Sequence, residues 1–115
     1  MIKTMEQWLT GKRLLIILTI AAAVWFSFAA VMTVLRYRLN YAPAYDFGIF
    51  SQMYYYMDKC LSPLTTCERD GLLSHFAVHL SPVFYVLLPL YKLVPRPETL
   101  LVLQSLVVIS GMVPL

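Results

Sequence analysis

Residues 14–35 read LLIILTIAAAVWFSFAAVMTVL, a run of 22 residues without a charged side chain. As an α-helix this run would be about 33 Å long, which matches a hydrocarbon core of about 30 Å. Lys12 and Arg13 precede the run, and Arg36 and Arg38 follow it. Long cationic side chains at such positions reach lipid headgroups. The run therefore predicts a membrane-spanning helix.

A cleavable signal peptide is the main alternative, because a basic start precedes the apolar run. The apolar core of a signal peptide has about 7–15 residues and ends at a small-residue cleavage site. Here the run is longer and Arg36 follows it. We therefore interpret 14–35 as a retained membrane helix.

The composition of the whole chain agrees with a membrane location. Its 115 residues are 60% hydrophobic and 13% charged, against about 25% charged in soluble domains. A small soluble domain buries too little surface to hide this much apolar area. The formal net charge of +3 does not indicate nucleic-acid binding, because the basic residues lie at the ends of apolar segments and form no stripe. The lipid bilayer is the predicted partner.

We predict an all-α, polytopic transmembrane module over 1–115 with about three membrane helices. The first covers 14–35, an external loop covers 36–74, and the second covers 75–94. The third covers 98–115 and is truncated, so we interpret the chain as the N-terminal fragment of a larger protein. The count of basic residues favours a cytoplasmic N-terminus by five to four.

The external loop begins with a predicted helix over about 46–58. Phe50, Met53, Tyr54 and Met57 follow the i, i+3, i+4, i+7 spacing of one helical face. Such a helix is expected to lie on the membrane surface, with its tyrosines at the level of the headgroups.

Asp46 is the candidate catalytic residue. A carboxylate a few residues beyond a membrane helix stands at the water–membrane boundary, where a general base for an acceptor hydroxyl is needed. The alternative is that Asp46 only caps the helix that it begins. Glu68 and Asp70 belong either to the same site or, together with Arg69, to a solvated turn.

His75 and His79 are candidates for binding a phosphate or a metal ion, because residues four apart share a helix face. Two imidazoles do not complete a zinc site, and Asp46, Glu68 or Asp70 would have to add ligands; the alternative is an interfacial or packing role. The metal is therefore unknown, with a divalent cation as one option. Cys60 and Cys67 would form a disulfide outside a cell or remain two thiols in a reducing compartment.

Several short motifs occur in a fixed order and together resemble a known family. They are Asp46-Phe-Gly-Ile-Phe-Ser-Gln52, Thr66-Cys-Glu-Arg-Asp70, His75-Phe76, His79-Leu-Ser-Pro82, Leu88-Pro-Leu-Tyr91 and Pro97-Glu-Thr-Leu-Leu-Val-Leu-Gln104. The order resembles the start of an uncharacterised family of bacterial polytopic membrane proteins, a numbered domain of unknown function. That family is in turn similar to the GT-C glycosyltransferases.

The resemblance implies an integral-membrane glycosyltransferase at the outer face of the bacterial cytoplasmic membrane. Its donor would be a polyprenyl-phosphate-linked sugar and its catalytic acid Asp46. His75 and His79, with Glu68 and Asp70, would hold the carrier phosphate or a cation. The alternative is a multi-pass membrane protein without enzymatic activity, such as a transporter or an assembly subunit.

Overall fold

The computed structural model describes residues 12–41 and 44–111. In this part of the chain the order of elements is α1 (Lys12–Arg38), α2 (Ala44–Cys60), β1 (Leu64–Thr65), β2 (Leu73–Ser74), a 3₁₀ helix (His75–Ala77), α3 (Val83–Leu93) and α4 (Pro97–Ser110). The prediction of a mainly helical chain is confirmed. Predictions that fall on 1–11, 42–43 and 112–115, including the end of the third membrane helix, lie outside the described residues.

Helix α1 extends beyond the uncharged run at both ends, and most of its large apolar side chains are exposed. Its hydroxyl groups do not need water: Thr19, Ser27 and Thr33 each donate a 2.8 Å hydrogen bond to the carbonyl four residues earlier. Within the described ranges, Arg13–Arg38 is the one helix long and apolar enough to cross a membrane. Membrane crossing by 75–94 and 98–115 remains a prediction.

The end of α1 is fixed by its backbone. Asn40 adopts a left-handed conformation with φ 58°. Its N–H donates to the carbonyl of Tyr37 at 3.0 Å, and the N–H of Tyr41 donates to that of Arg36 at 2.9 Å. This bonding satisfies the last carbonyls of the helix, so α1 ends within two residues of Arg38.

Helix α2 buries its apolar face against α3. Met53 and Met57 are fully buried, and Tyr54 is 3% exposed. They pack with Leu88 and Tyr91 of α3. The predicted apolar face is therefore present, but most of it contacts another helix of the same chain.

Helix α3 is shorter than the segment predicted over 75–94. It begins at Val83 and ends at Leu93, which corresponds to about 16 Å. Pro82 stands directly before it with φ −59° and lacks an N–H to continue a helix from the preceding residues. The eight residues 75–82 instead form the 3₁₀ helix and an irregular connection.

Helix α4 packs against α1. It begins with Pro97, which suits the first helical position because the missing N–H has no partner there. Glu98 accepts a hydrogen bond from the guanidinium of Arg38 at 3.3 Å. The end of α1 and the start of α4 are thus joined by an ion pair, and the two helices are antiparallel.

Candidate functional site

Asp46 lies in the first turn of α2, close to the end of α1 in the sequence, and its side chain is exposed. The helix begins at Ala44, so Asp46 is inside the first turn and is not the capping residue that precedes it. The alternative in which Asp46 is the N-cap residue is therefore wrong, because α2 starts two residues earlier than the predicted helix, and the catalytic role remains a prediction. A carboxylate in a first turn is still favoured by the helix dipole.

A short β-hairpin brings the second half of the loop back toward α2. Leu64 pairs with Ser74 and Thr65 with Leu73 in antiparallel register, and the N–H of His75 donates to the carbonyl of Pro63 at 2.7 Å. The residues between the strands form the tip of the hairpin. This pairing places the chain around residue 68 next to His75.

Glu68 and His75 form a nearly buried hydrogen-bonded pair. Nδ1 of His75 lies 2.8 Å from Oε2 of Glu68, and the side chains are 4% and 12% exposed. A carboxylate oxygen accepts, so Nδ1 of His75 donates the hydrogen bond to Glu68. The rings of Phe50 and Phe84 lie 5.7 and 5.8 Å from the imidazole and exclude water from it.

His79 stays close to His75 for a different reason than predicted. The two histidines do not share a regular helix: His75 begins the 3₁₀ helix and His79 follows it. A single turn, closed by the N–H of His79 donating to the carbonyl of His75 at 2.9 Å, brings their rings to 5.8 Å. His79 is exposed, whereas His75 is buried.

These side chains meet in one open cleft with a volume of about 610 Å³. Its walls are formed by Tyr45, Asp46, Ile49, Phe50, Glu68, Arg69, His75, Val78 and His79. Four of the five predicted polar site residues therefore line the same cleft. Asp70 is exposed and is not among the residues that line it.

A second cleft of about 490 Å³ adjoins the first and shares Asp46 with it. Here Asp46 faces Thr33 and Arg36 of α1 and Gln104 of α4. Asp46 thus stands between the end of α1 and the Glu68–His75 pair.

Two cationic residues of these clefts were not predicted as site residues. Arg36 was interpreted as a lipid anchor and Arg69 as part of a solvated turn, yet each lines a cleft together with Asp46. The positive charge of Arg36 and Arg69 did not by itself indicate that they belong to the site. The neighbouring position of Arg69 and Glu68 in the sequence was the one available indication.

The His, Cys, Asp and Glu side chains of the described residues are poorly arranged for a metal ion. In the described ranges, no group of three or more His, Cys, Asp or Glu side chains is arranged to hold one. Glu68 and His75 are already bonded to each other. The residues as placed do not fit a zinc site, which needs at least three protein ligands.

Cys60 and Cys67 are exposed free thiols. Sγ of Cys60 donates to the carbonyl of Tyr56 at 3.1 Å, and Sγ of Cys67 lies 3.4 Å from Oε1 of Gln52. Gln52 and Cys60 are separated by about 12 Å along α2. The structure thus describes the reduced form, and the disulfide remains a prediction that requires Cys67 to leave Gln52.

The long apolar helix α1 and the polar clefts at its end are typical of an α-helical membrane protein. Residues 35–115 match the model of a family described as predicted membrane protein (DUF2079), and the chain belongs to this family. No curated protein and no solved structure matches the chain.

Proposed function

We propose that the protein is an integral-membrane glycosyltransferase of the GT-C type. It takes a sugar from a polyprenyl-phosphate carrier at the outer face of the cytoplasmic membrane. The observation that supports this proposal is the meeting of Asp46, Arg69, His75 and His79 in one open cleft. A sugar-phosphate donor and an acceptor hydroxyl need this combination of a base and cationic or imidazole groups.

In the proposed reaction the acceptor hydroxyl attacks the anomeric carbon of the donor sugar. The bond between that carbon and the phosphate oxygen breaks, and a new carbon–oxygen bond to the acceptor forms. The hydroxyl proton passes to the carboxylate of Asp46. The electron pair of the broken bond leaves with the polyprenyl phosphate, whose additional negative charge must be stabilised.

Arg69 and His79 are the groups that we assign to this phosphate. Both side chains are exposed residues on the cleft wall, so a ligand can reach them. Glu68 is assigned a different role, because it is bonded to His75 and fixes the orientation of that ring. Asp70 has no role in the proposed reaction, since it does not line the cleft.

The proposal also accounts for the position of Asp46. The cleft that it shares with Arg36 and Thr33 lies at the end of α1, where the bilayer meets water if α1 crosses the membrane. A lipid-linked donor keeps its carrier in the bilayer and presents its phosphate at this level. This position supports the proposal that Asp46 acts where such a donor and a water-soluble acceptor would meet.

The test is the substitution Asp46→Asn in the full-length protein, assayed in membranes with a panel of polyprenyl-phosphate-linked sugars. We expect transfer to fall by about 10²–10⁴-fold, the usual contribution of a general base. Unchanged sugar transfer by Asp46→Asn would show that Asp46 is not the general base of the reaction. Absence of transfer from every donor by the unmodified protein would reject the proposed function.

Asp58→Asn is the matched control. Asp58 is also on α2 but is absent from the cleft walls, and its carboxylate lies 3.1 Å from the ammonium of Lys59. This contact raises the pKa of Lys59. Because the pair is remote from the proposed chemistry, Asp58→Asn should leave transfer within about threefold of the unmodified rate.

A further inference from the structure

The side chain of Gln52 lies at the centre of the contacts between α2 and the hairpin. Its amide oxygen accepts hydrogen bonds from the N–H of Thr66 at 2.8 Å and from the hydroxyl of Thr65 at 3.1 Å. Its amide nitrogen donates to the hydroxyl of Thr66 at 3.0 Å. An amide oxygen has two lone pairs, so the first two bonds satisfy it fully.

Two further hydrogen bonds hold Cys67, the next residue of the hairpin, to Thr65 and to Tyr45 of α2. The N–H of Cys67 donates to the hydroxyl oxygen of Thr65 at 3.1 Å, and the hydroxyl of Tyr45 donates to the carbonyl of Cys67 at 2.8 Å. Tyr45 and Gln52 are seven residues apart, which puts them on the same face of α2. Residues 65–67 are thus bonded to α2, and Glu68 follows directly.

The hairpin is too short to hold this position by itself. Its strands pair through two residue pairs, Leu64 with Ser74 and Thr65 with Leu73, and even a longer isolated hairpin is marginally stable. The location of Glu68 therefore depends on bonds from α2, and Gln52 supplies most of them.

We propose that Gln52 is a positioning residue that holds residues 65–67 so that Glu68 meets His75. Its effect on catalysis rests on the proposed function, whereas its effect on the Glu68–His75 pair does not. Loss of the Gln52 bonds is expected to free the hairpin, separate the carboxylate from the imidazole and open the buried ring to water.

The test uses two variants of the full-length protein in its membrane. Gln52→Leu keeps the approximate size of the side chain and removes every hydrogen bond. Gln52→Glu keeps two acceptor oxygens for Thr66 and Thr65 and should preserve the attachment. Ser51→Ala is the matched control, because among the described residues the buried hydroxyl of Ser51 has no hydrogen-bond partner.

The readout is the rate at which diethylpyrocarbonate modifies His75, measured by mass spectrometry, with the exposed His79 as internal reference. We expect Gln52→Leu to raise the ratio of His75 to His79 modification by about tenfold, since local opening becomes easier when several hydrogen bonds are lost. Gln52→Glu and Ser51→Ala should keep the ratio of the unmodified protein. If Gln52 had only a structural role, Gln52→Leu would lower the stability of the protein without this selective exposure of His75.

An unchanged ratio in Gln52→Leu would overturn the inference, as would equal increases in Gln52→Leu and Gln52→Glu. If Gln52→Leu does not accumulate in the membrane, Thr65→Val tests the same attachment from the hairpin side with the same expectation. In the transfer assay, Gln52→Leu should lower kcat by about 10–100-fold with little change in KM. Absence of transfer by the unmodified protein would reject the proposed function, while the modification ratio would still decide the role of Gln52.

Discussion

Replacing Glu68 by alanine should destabilise the protein by about 1–3 kcal/mol, the cost of leaving a buried polar group without its partner. The imidazole of His75 is 4% exposed, and its Nδ1 lies 2.8 Å from the Glu68 carboxylate. The aromatic rings around it offer no replacement acceptor. Glu68→Gln keeps a carbonyl oxygen in nearly the same place and should cost less than about 1 kcal/mol.

The free energy of unfolding can be measured by titrating the protein from mild into denaturing detergent and following helix content by circular dichroism. The combined substitution of Glu68 by leucine and His75 by phenylalanine removes both partners and should cost less than the sum of the single changes. Equal stability of Glu68→Ala and Glu68→Gln would refute the reasoning, because the acceptor at residue 68 would then be irrelevant to His75.

Three further predictions concern the packing, the pH dependence and the cysteines. Met53→Ala should lower the free energy of unfolding by about 2–5 kcal/mol, because Met53 is fully buried and its loss leaves a cavity; a change below about 1 kcal/mol would contradict the packing of α2 on α3. Burial raises the pKa of Tyr54 from 10 to about 12, so the unfolded chain loses this proton first and stability should fall between about pH 10 and pH 12. Burial also raises the pKa of Tyr91, so Tyr54→Phe should reduce that decrease without abolishing it, and a decrease of unchanged size in the variant would assign it to another group. The exposed thiols of Cys60 and Cys67 should react with maleimide without reductant; labelling that increases only after reduction would demonstrate the predicted disulfide.

The sequence allowed the prediction of features that depend on local pattern. The uncharged run at 14–35 indicated a helix, and α1 covers it with a few residues more at each end. The spacing of Met53, Tyr54 and Met57 indicated a single apolar face, and these three side chains are buried together. Helix periodicity is a property of neighbouring residues, so it can be read without knowing the rest of the fold.

The hairpin and the late start of α3 could not be predicted in this way. The hairpin falls in the predicted external loop over 36–74, and strands of two residues leave no alternating pattern. The hairpin is held by side chains such as Gln52 from a distant helix, and such contacts are set by tertiary structure. The site residues show the same difference. Asp46 was selected by residue type and by its position after the apolar run, and Glu68 and His75 by residue type, whereas Arg69 was recognised only from its place on the cleft wall.

The ion pair between Arg38 and Glu98 has a consequence for the path of the chain across a bilayer. If α1 spans the membrane, Arg38 marks the face at which the chain leaves, and Glu98 lies within 3.3 Å of it. The segment between Arg38 and Glu98 therefore begins and ends at the same face of the bilayer. Helix α3, about 16 Å long, is too short to cross the bilayer and return. The hairpin, α2 and α3 would then form a single extramembrane layer, with α4 as the next segment to enter the bilayer. A membrane-impermeant amine reagent should accordingly reach Lys59 and Lys92 from the same side, whereas a crossing by 75–94 would put them on opposite sides.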